Sequence, residues 1–514
     1  MNLIPLMVAL PLLAGFVLPL VPRRRARLAD FLALLIAAIL VTLAIGSYQL
    51  PDVPYHMGGW KAPIGISLVL DGASRLMLAV IGVVTLAVIL YCPAYMARFT
   101  SKGRFYSLFF LMVAGMNGVV LTGDMFNLFV FLEIASIASY ALVAFGCERD
   151  ELEASFRYLV LGCLASYMLL LGIALLYAMM GTVNMAHLSA KIAARGGLAG
   201  LAGGQASALL VFATVLFICG LGLKAALVPF HAWLPDAHPS APTPISAMLS
   251  GLLIKAIGVY ALARVLFCVI GMTPALQMVL MTLGALSMIV GVFLAVGQWD
   301  FKRLLAYHSI SQIGYVVLAL GLATPLGVAA GLFHLVNHAI FKSLLFLNAG
   351  AVEYRTGTRQ LEEMGGLNKR MPVTGATSFV ASMSISGVPP FNGFFSKLLI
   401  IVACVDAGRW GFAFVAVVVS VLTLASFMKV QKYVFFGVVK EKWQNIREVP
   451  VMMGVSMALL AALCLATSAF VLKAPRKLIL DRAQASLRER RNYVRLVLPT
   501  RVNEEPDAKP SKGK

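Results

Sequence analysis

Charge is what this sequence lacks. Of 514 residues only 12% are Asp, Glu, Lys or Arg, against 60% hydrophobic, and the mean hydropathy is +0.89. Soluble domains average about 25% charged residues, so a water-soluble fold is excluded. Cysteine is sparse and scattered. The seven (Cys92, Cys147, Cys163, Cys219, Cys268, Cys404, Cys464) stand singly, mostly inside apolar runs, with no CxxC and no Cys/His cluster. That pattern excludes a disulfide framework, an iron–sulfur cluster and a zinc site, and the chain is expected to carry no cofactor of its own. The first segment also lacks a basic n-region. Met1 to Val21 ends on Pro22 and the arginines Arg23, Arg24, Arg25 and Arg27, which reads as a helix stopped by positive charge rather than a cleaved leader.

What the sequence has is apolar length. Runs can be drawn at roughly 2–21, 30–50, 68–93, 106–122, 125–146, 156–180, 207–229, 245–270, 274–297, 305–323, 326–350, 373–403, 411–437 and 451–472. Nearly all are long enough to cross a hydrocarbon core of about 30 Å. The expectation is an all-α polytopic membrane protein of about 14 transmembrane helices. It forms one integral membrane domain over 1–472, followed by a basic tail, 473–514, that is disordered in part, above all in the polar Asn503–Lys514. The formal net charge of +20 sits in loops and tail, beside a lipid bilayer, and nucleic acid is not an expected partner. One set of connections is basic (Arg23–Arg27; Arg98, Lys102 and Arg104; Lys302 and Arg303; Arg355, Lys369 and Arg370; Lys440 and Lys442), while the alternate set is short and nearly free of basic residues. The positive-inside rule puts the first set in the cytoplasm. The basic tail then falls on the outer side, against the rule.

A charge at mid-bilayer costs at least about 2.5–3.5 kcal/mol, so each one needs a reason. Glu133 lies in the run Leu128–Phe145; Lys224 lies in ICGLGLKAALVPF, and Lys255 in the run from Ile245. His334, His338 and Lys342 recur at i, i+4 and i+8, along one helix face. Lys397 follows the Pro-Pro pair of SGVPPFNGFFSK, and Lys429 lies near the end of the next run, where a snorkelling role fits it better. Isolated intramembrane charges mark ion paths. A desolvated Lys beside a Glu holds or releases its proton as the two approach or separate, and imidazoles bridge gaps between such groups.

Two helices are expected to be interrupted. Pro229 with Pro235–Pro244 breaks the helix carrying Lys224, with His231 in the break. Gly387, Pro389, Pro390 and Gly393 break the one carrying Lys397. Proline removes a backbone donor, and non-helical backbone at this depth must be buried in protein or line water. Paired broken helices point to inverted repeats. The Glu133-to-Lys224 spacing, stepped back from Lys397, lands beside Tyr307 and His308.

The segments TGDMFNLFVFLEIASIASYALVAFG, LKAALVPFHAWLPDAHPSAPTPISAMLSGLLIK, DFKRLLAYHSISQIGY, HLVNHAIFKSLLFLNAG and SGVPPFNGFFSK resemble the antiporter-like subunits shared by respiratory complex I, Mrp-type Na⁺/H⁺ antiporters and membrane-bound energy-converting hydrogenases. The likeness spans roughly residues 65–440, and His231–Pro244 is its most specific part. It implies fourteen helices with two inverted five-helix repeats, and partners among the other membrane subunits of an Mrp-like or complex I-like assembly, in the cell inner membrane. It also implies roles. Glu133 resembles the helix-5 glutamate paired with Lys224. Lys255 resembles the central lysine, continued by His334 and His338, and Lys397 resembles the exit-side residue of broken helix 12, where some members carry Glu. His308 and Lys342 stand beside that row. The wording GDMFNLFVFLEI is nearest the Mrp D-type and hydrogenase-type subunits.

The leading expectation is therefore a subunit that translocates H⁺, or exchanges Na⁺ for H⁺, through buried Glu, Lys and His. A redox-driven pump subunit, a standalone secondary transporter and an anchor for soluble redox subunits are the alternatives.

Overall fold

The computed structural model describes residues 3–99, 101–200 and 205–498; Asn503–Lys514 lies outside them. Twelve continuous helices among the described residues are long and apolar enough to span a bilayer. They are α1 (Leu3–Leu20), α2 (Arg23–Gln49), α3 (Gly72–Arg98), α4 (Lys102–Leu121), α5 (Met125–Val143), α6 (Arg149–Met180), α8 (Thr243–Ile270), α9 (Pro274–Val296), α10 (Phe301–Gly321), α11 (Pro325–Thr356), α13 (Trp410–Phe435) and α14 (Val451–Val471). Two further crossings come in pieces: α7, as Gln205–Lys224 and Leu234–Ser240, and α12, as Pro372–Ser386 and Asn392–Asp406. This makes fourteen.

Short polar residues set where helices start. Asp71 accepts the Ser74 N–H at 2.9 Å while Ser74 accepts the Asp71 N–H at 2.7 Å, a reciprocal cap on α3. Asp124 takes the Asn127 N–H (2.8 Å) at α5, and Asp300 takes the Arg303 N–H (2.8 Å) at α10. Each cap contributes about 1 kcal/mol and satisfies a donor that lipid could not.

The connections sort onto two faces. On one, Lys302 pairs with Glu353 (2.8 Å), Arg359 with Asp300 (3.2 Å) and Lys102 with Asp30 (2.8 Å), while Arg98 donates to the Tyr354 carbonyl. This is the basic face. The far face holds an antiparallel hairpin, β1 (Val53–His56) with β2 (Ser67–Leu70), the surface helix Met185–Ala194 and the turn at Gly271.

Five crossings, α4–α8, are repeated in order by α9–α13. Each set has a 32-residue helix in third place (α6 and α11), then a broken helix, then one with a π-helical stretch, at Leu249–Tyr260 in α8 and Gln431–Phe435 in α13. Five is odd, so the second set runs through the molecule in the opposite sense: an inverted repeat. At the centre, α8 and α11 are wholly surrounded by protein, while α1, α2 and α14 lie at the periphery.

Beyond α14 the chain doubles back over the far face. A π-helical turn, Arg476–Asp481, leads into α15 (Arg482–Arg488) and α16 (Arg490–Val497). Leu480, Ala483, Leu487, Tyr493 and Val497 are buried. Residues 473–498 thus pack on the membrane domain as helices.

Candidate functional site

Glu133 on α5 and Lys224 at the end of the first piece of α7 lie side by side, Lys224 Nζ being 3.6 Å from Glu133 Oε1. Lys224 donates to Ser136 Oγ (3.0 Å) and Tyr140 OH (3.3 Å), and Ser166 donates to Glu133 Oε1. The lysine side chain is 1% exposed and the glutamate 24%.

The break beside them starts earlier than the prolines suggest. The helix stops at Lys224 itself, and Ala226 takes a left-handed φ of 56°, a conformation seldom held by a residue with a Cβ. Pro235, expected to break the chain, instead sits in the first turn of Leu234–Ser240, where proline's missing N–H costs nothing. The freed backbone is satisfied by protein: Trp233 Nε1 donates to the Leu223 carbonyl (2.9 Å), and Val228 N–H donates to Ser287 Oγ (3.0 Å). An aromatic stack then links the break to α5 and α6. Trp233 lies flat on Tyr158 at 4.2 Å, and Tyr158 meets Tyr140 edge-on at 4.5 Å.

Lys255 is fully buried in the π-helical part of α8 and donates to the Ser250 carbonyl. A π-turn widens the helix and is frequent at functional positions. On α11, the His334 and His338 rings are 6.3 Å apart and nearly parallel, and His334 Nδ1 lies 3.0 Å from Ser396 Oγ. Ser396 immediately precedes Lys397, whose Nζ donates to the Ile385 carbonyl (2.7 Å) and Ser420 Oγ (3.3 Å) and lies 4.9 Å from the Tyr315 ring centre. That carbonyl is freed by the second break, where Gly387 (φ 78°) ends the first piece of α12 ahead of Pro389 and Pro390.

The direct contacts are local, joining Glu133 to Lys224 and His334 to His338 and Ser396, while Lys255 holds only the Ser250 carbonyl; the other expected residues lie beside them. His308 on α10 is buried, but its Nε2 pairs with Ser426 Oγ (2.8 Å) on α13. His231 sits in the α7 break just after Pro229 and is part-exposed. Lys342 is buried with Nζ unpaired, 5.7 Å from the Phe346 ring centre. Lys429 caps α9, donating to the Val296 and Gln298 carbonyls at 2.7 Å each, the role expected of a lysine near a helix end.

Sequence reasoning missed His238. It is fully buried between the rings of Trp233 and Phe346, and neither ring nitrogen has a protein partner. The signal was available, as the second histidine of the His231–Pro244 signature. Both nitrogens of His338, His334 Nε2 and both side-chain ends of Gln312 are also buried without a protein partner. Buried polar groups are almost always hydrogen-bonded, through water where protein offers nothing. A string of such groups between the two broken helices is wettable, and with titratable members it can pass protons by hopping, with no covalent chemistry.

These features define a multi-pass helical membrane protein with an inverted repeat, two broken helices and several buried ionisable groups. The chain belongs to the NADH:quinone oxidoreductase/Mrp antiporter transmembrane family, whose model matches residues 122–423; that of the NADH-ubiquinone oxidoreductase (complex I) chain 5 N-terminus matches residues 58–106. It is 36% identical over 440 residues to the D-type subunit of the Na(+)/H(+) antiporter of Alkalihalophilus pseudofirmus, covering 85% of this chain and 87% of that one. It is 38% identical over 408 residues to the N-type subunit of the NADH-quinone oxidoreductase of Desulforudis audaxviator (77% and 79%). Among solved structures, a chain of the Mrp complex from Dietzia sp. superposes with a TM-score of 0.88 at 32% identity, over 96% of this chain and 99% of that one.

Proposed function

We propose that this chain is the D-type ion-translocating subunit of an Mrp-like cation/proton antiporter in the cell inner membrane, with its basic face in the cytoplasm. Protons reach Lys224, where Glu133 controls the amine's hold on them. They pass by His238 and Lys342 to Lys255 and then along His338 and His334 to Lys397. The observation that carries this reading is the buried Glu133–Lys224 pair at a helix break, continued by buried polar groups without protein partners. With one carboxylate among four amines, the row suits protons better than Na⁺, which prefers oxygen ligands.

The partners are other membrane subunits. Glu133 touches both Lys224 and Ser166 through Oε1, and its side chain is partly exposed on a face that also shows Ile137 and Tyr167. A carboxylate left against lipid is costly, so a neighbouring subunit covers it in the assembled complex.

The second reading, a subunit of a redox-driven pump, is favoured by the likeness to the NADH-quinone oxidoreductase subunit of Desulforudis audaxviator. Copurification from native membranes in mild detergent, with partner identification and iron and flavin assays, separates the two. Small hydrophobic partners without cofactors support the antiporter; partners bearing iron–sulfur or flavin centres overturn it in favour of the pump.

A further inference from the structure

The segment beyond α14 takes no part in the row described above, yet it is fastened at several points to the far-face end of α8, the helix that carries Lys255. Arg490 donates to Ser189 Oγ (2.6 Å) and to the Ile270 carbonyl (3.3 Å) at the last turn of α8. Ser486 Oγ accepts the Gly72 N–H (3.0 Å) at the first turn of α3. The approach there is so close that a Cβ on Gly72 would lie 2.6 Å from the Arg482 carbonyl. Cys268 of α8 lies under the backbone of Ser486 and Leu487, and the buried Tyr493 ring lies 5.3 Å from the Arg264 guanidinium.

Beneath this cover is a buried ionic cluster. Arg264 binds Asp71 through two hydrogen bonds (2.7 and 2.9 Å) and donates to Tyr260 OH (2.6 Å), which in turn donates to the Val120 carbonyl (2.9 Å). Asp71 is also the cap of α3. Both Asp71 oxygens, both terminal nitrogens of Arg264 and Tyr260 OH have protein partners, unlike the side-chain nitrogens of His238, His338 and Lys342. An ion pair held this way is charge-neutral and offers a proton no free acceptor, whereas unpaired groups do. A cavity of about 370 Å³ bounded by Asp52, Asp71, Asn492, Tyr493 and Arg495 brings water to the edge of the cluster but no further: Asp71 is 2% exposed.

We propose that residues 473–498 are a plug on the far-face end of α8, with Arg490 and Tyr493 as its positioning residues. The plug keeps water off the Asp71–Arg264–Tyr260 cluster, so ions at Lys255 leave along α11 towards Lys397 and not straight out along α8. The consequence for transport rests on the proposed relay; the seal itself does not.

Cys268 is a built-in reporter, because a charged, membrane-impermeant maleimide can reach it only if the plug lifts. Cys147 is exposed on the basic face and reports sidedness. In the assembled complex in vesicles, peptide mapping is expected to find Cys268 unlabelled from either side in the intact chain. It is expected to be labelled from the far face in a chain ending at Leu472 and in an Arg490→Ala/Tyr493→Ala variant. The passive proton leak of proteoliposomes should rise several-fold in the same variants and persist when Glu133→Gln is added. Labelling of Cys268 in the intact chain overturns the proposal. So does an assembled variant in which Cys268 stays unlabelled or the leak stays at the level of the intact chain. If the truncated chain does not assemble, the double point variant decides the same question. Failure of the relay would show as normal flux in Glu133→Gln alone, with labelling unaffected.

Discussion

Replacing Glu133 by Gln removes the one carboxylate beside Lys224 and keeps the side chain's shape. At 3.6 Å the pair's Coulomb energy is about 4.6 kcal/mol at an effective dielectric of about 20, an upper bound because desolvation offsets part of it. If the whole amount controls proton transfer at Lys224, flux falls about 10³-fold; if only about 1.4 kcal/mol does, it still falls about tenfold. Glu133→Asp keeps the charge but draws it back to about 5 Å, leaving about 3.3 kcal/mol by the same relation. The expected order of flux is therefore Glu, then Asp, then Gln. The assay is ΔpH formation in proteoliposomes of the assembled complex, with the amount of the chain checked by immunoblot. A Gln variant that is fully assembled and moves protons at more than half the normal rate refutes the reasoning, as does an Asp variant worse than Gln.

His338 has no hydrogen bond to protein to lose, so His338→Leu should leave the thermal stability of the complex unchanged or slightly raised while flux drops; a variant with normal flux removes His338 from the relay. Lys397→Ala should abolish flux in an assembled complex, whereas loss of assembly would make Lys397 a structural donor to the Ile385 carbonyl. Gly393→Ala should lower Tm and flux together, because its Cβ would lie 1.7 Å from the Ser384 carbonyl oxygen and force the two pieces of α12 apart; a melting curve like the wild type's contradicts this packing. Asp71→Asn should cost about 3–5 kcal/mol by leaving Arg264 buried and unpaired, and Asp71→Asn with Arg264→Met should cost less; equal Tm losses for the two would contradict that pairing.

The membrane spans were legible because apolar length is a local property: each run carries its own evidence, and the Pro-Pro of α12 announces its break. Glu133, Lys224, Lys255 and Lys397 stood out because an isolated charge in an apolar run is rare. Their hydroxyl partners did not. Ser166, Tyr140 and Ser420 belong to residue types scattered through every span, and only folding selects the few that touch Glu133, Lys224 or Lys397. The stop at Lys224, five residues before Pro229, follows from backbone geometry at Ala226 that its side chain does not betray. Nor does any residue type mark the π-helical stretch around Lys255. Asp71 and Arg264 lie 193 residues apart in sequence, each near the end of an apolar run, where a charge needs no special explanation. The segment after Leu472 is marked only by its basic composition, which does not show that Leu480, Leu487, Tyr493 and Val497 dock it on the far face.

Lys255 tests the central claim most directly, because it lies on the central helix between the two broken ones. Lys255→Met keeps the length and much of the bulk of the side chain and removes the proton carrier. In the assembled complex, reconstituted and driven by an imposed Na⁺ or proton gradient, the relay predicts that exchange in both directions falls to the level of empty liposomes. Exchange at the wild-type rate would mean that the ions travel by another route.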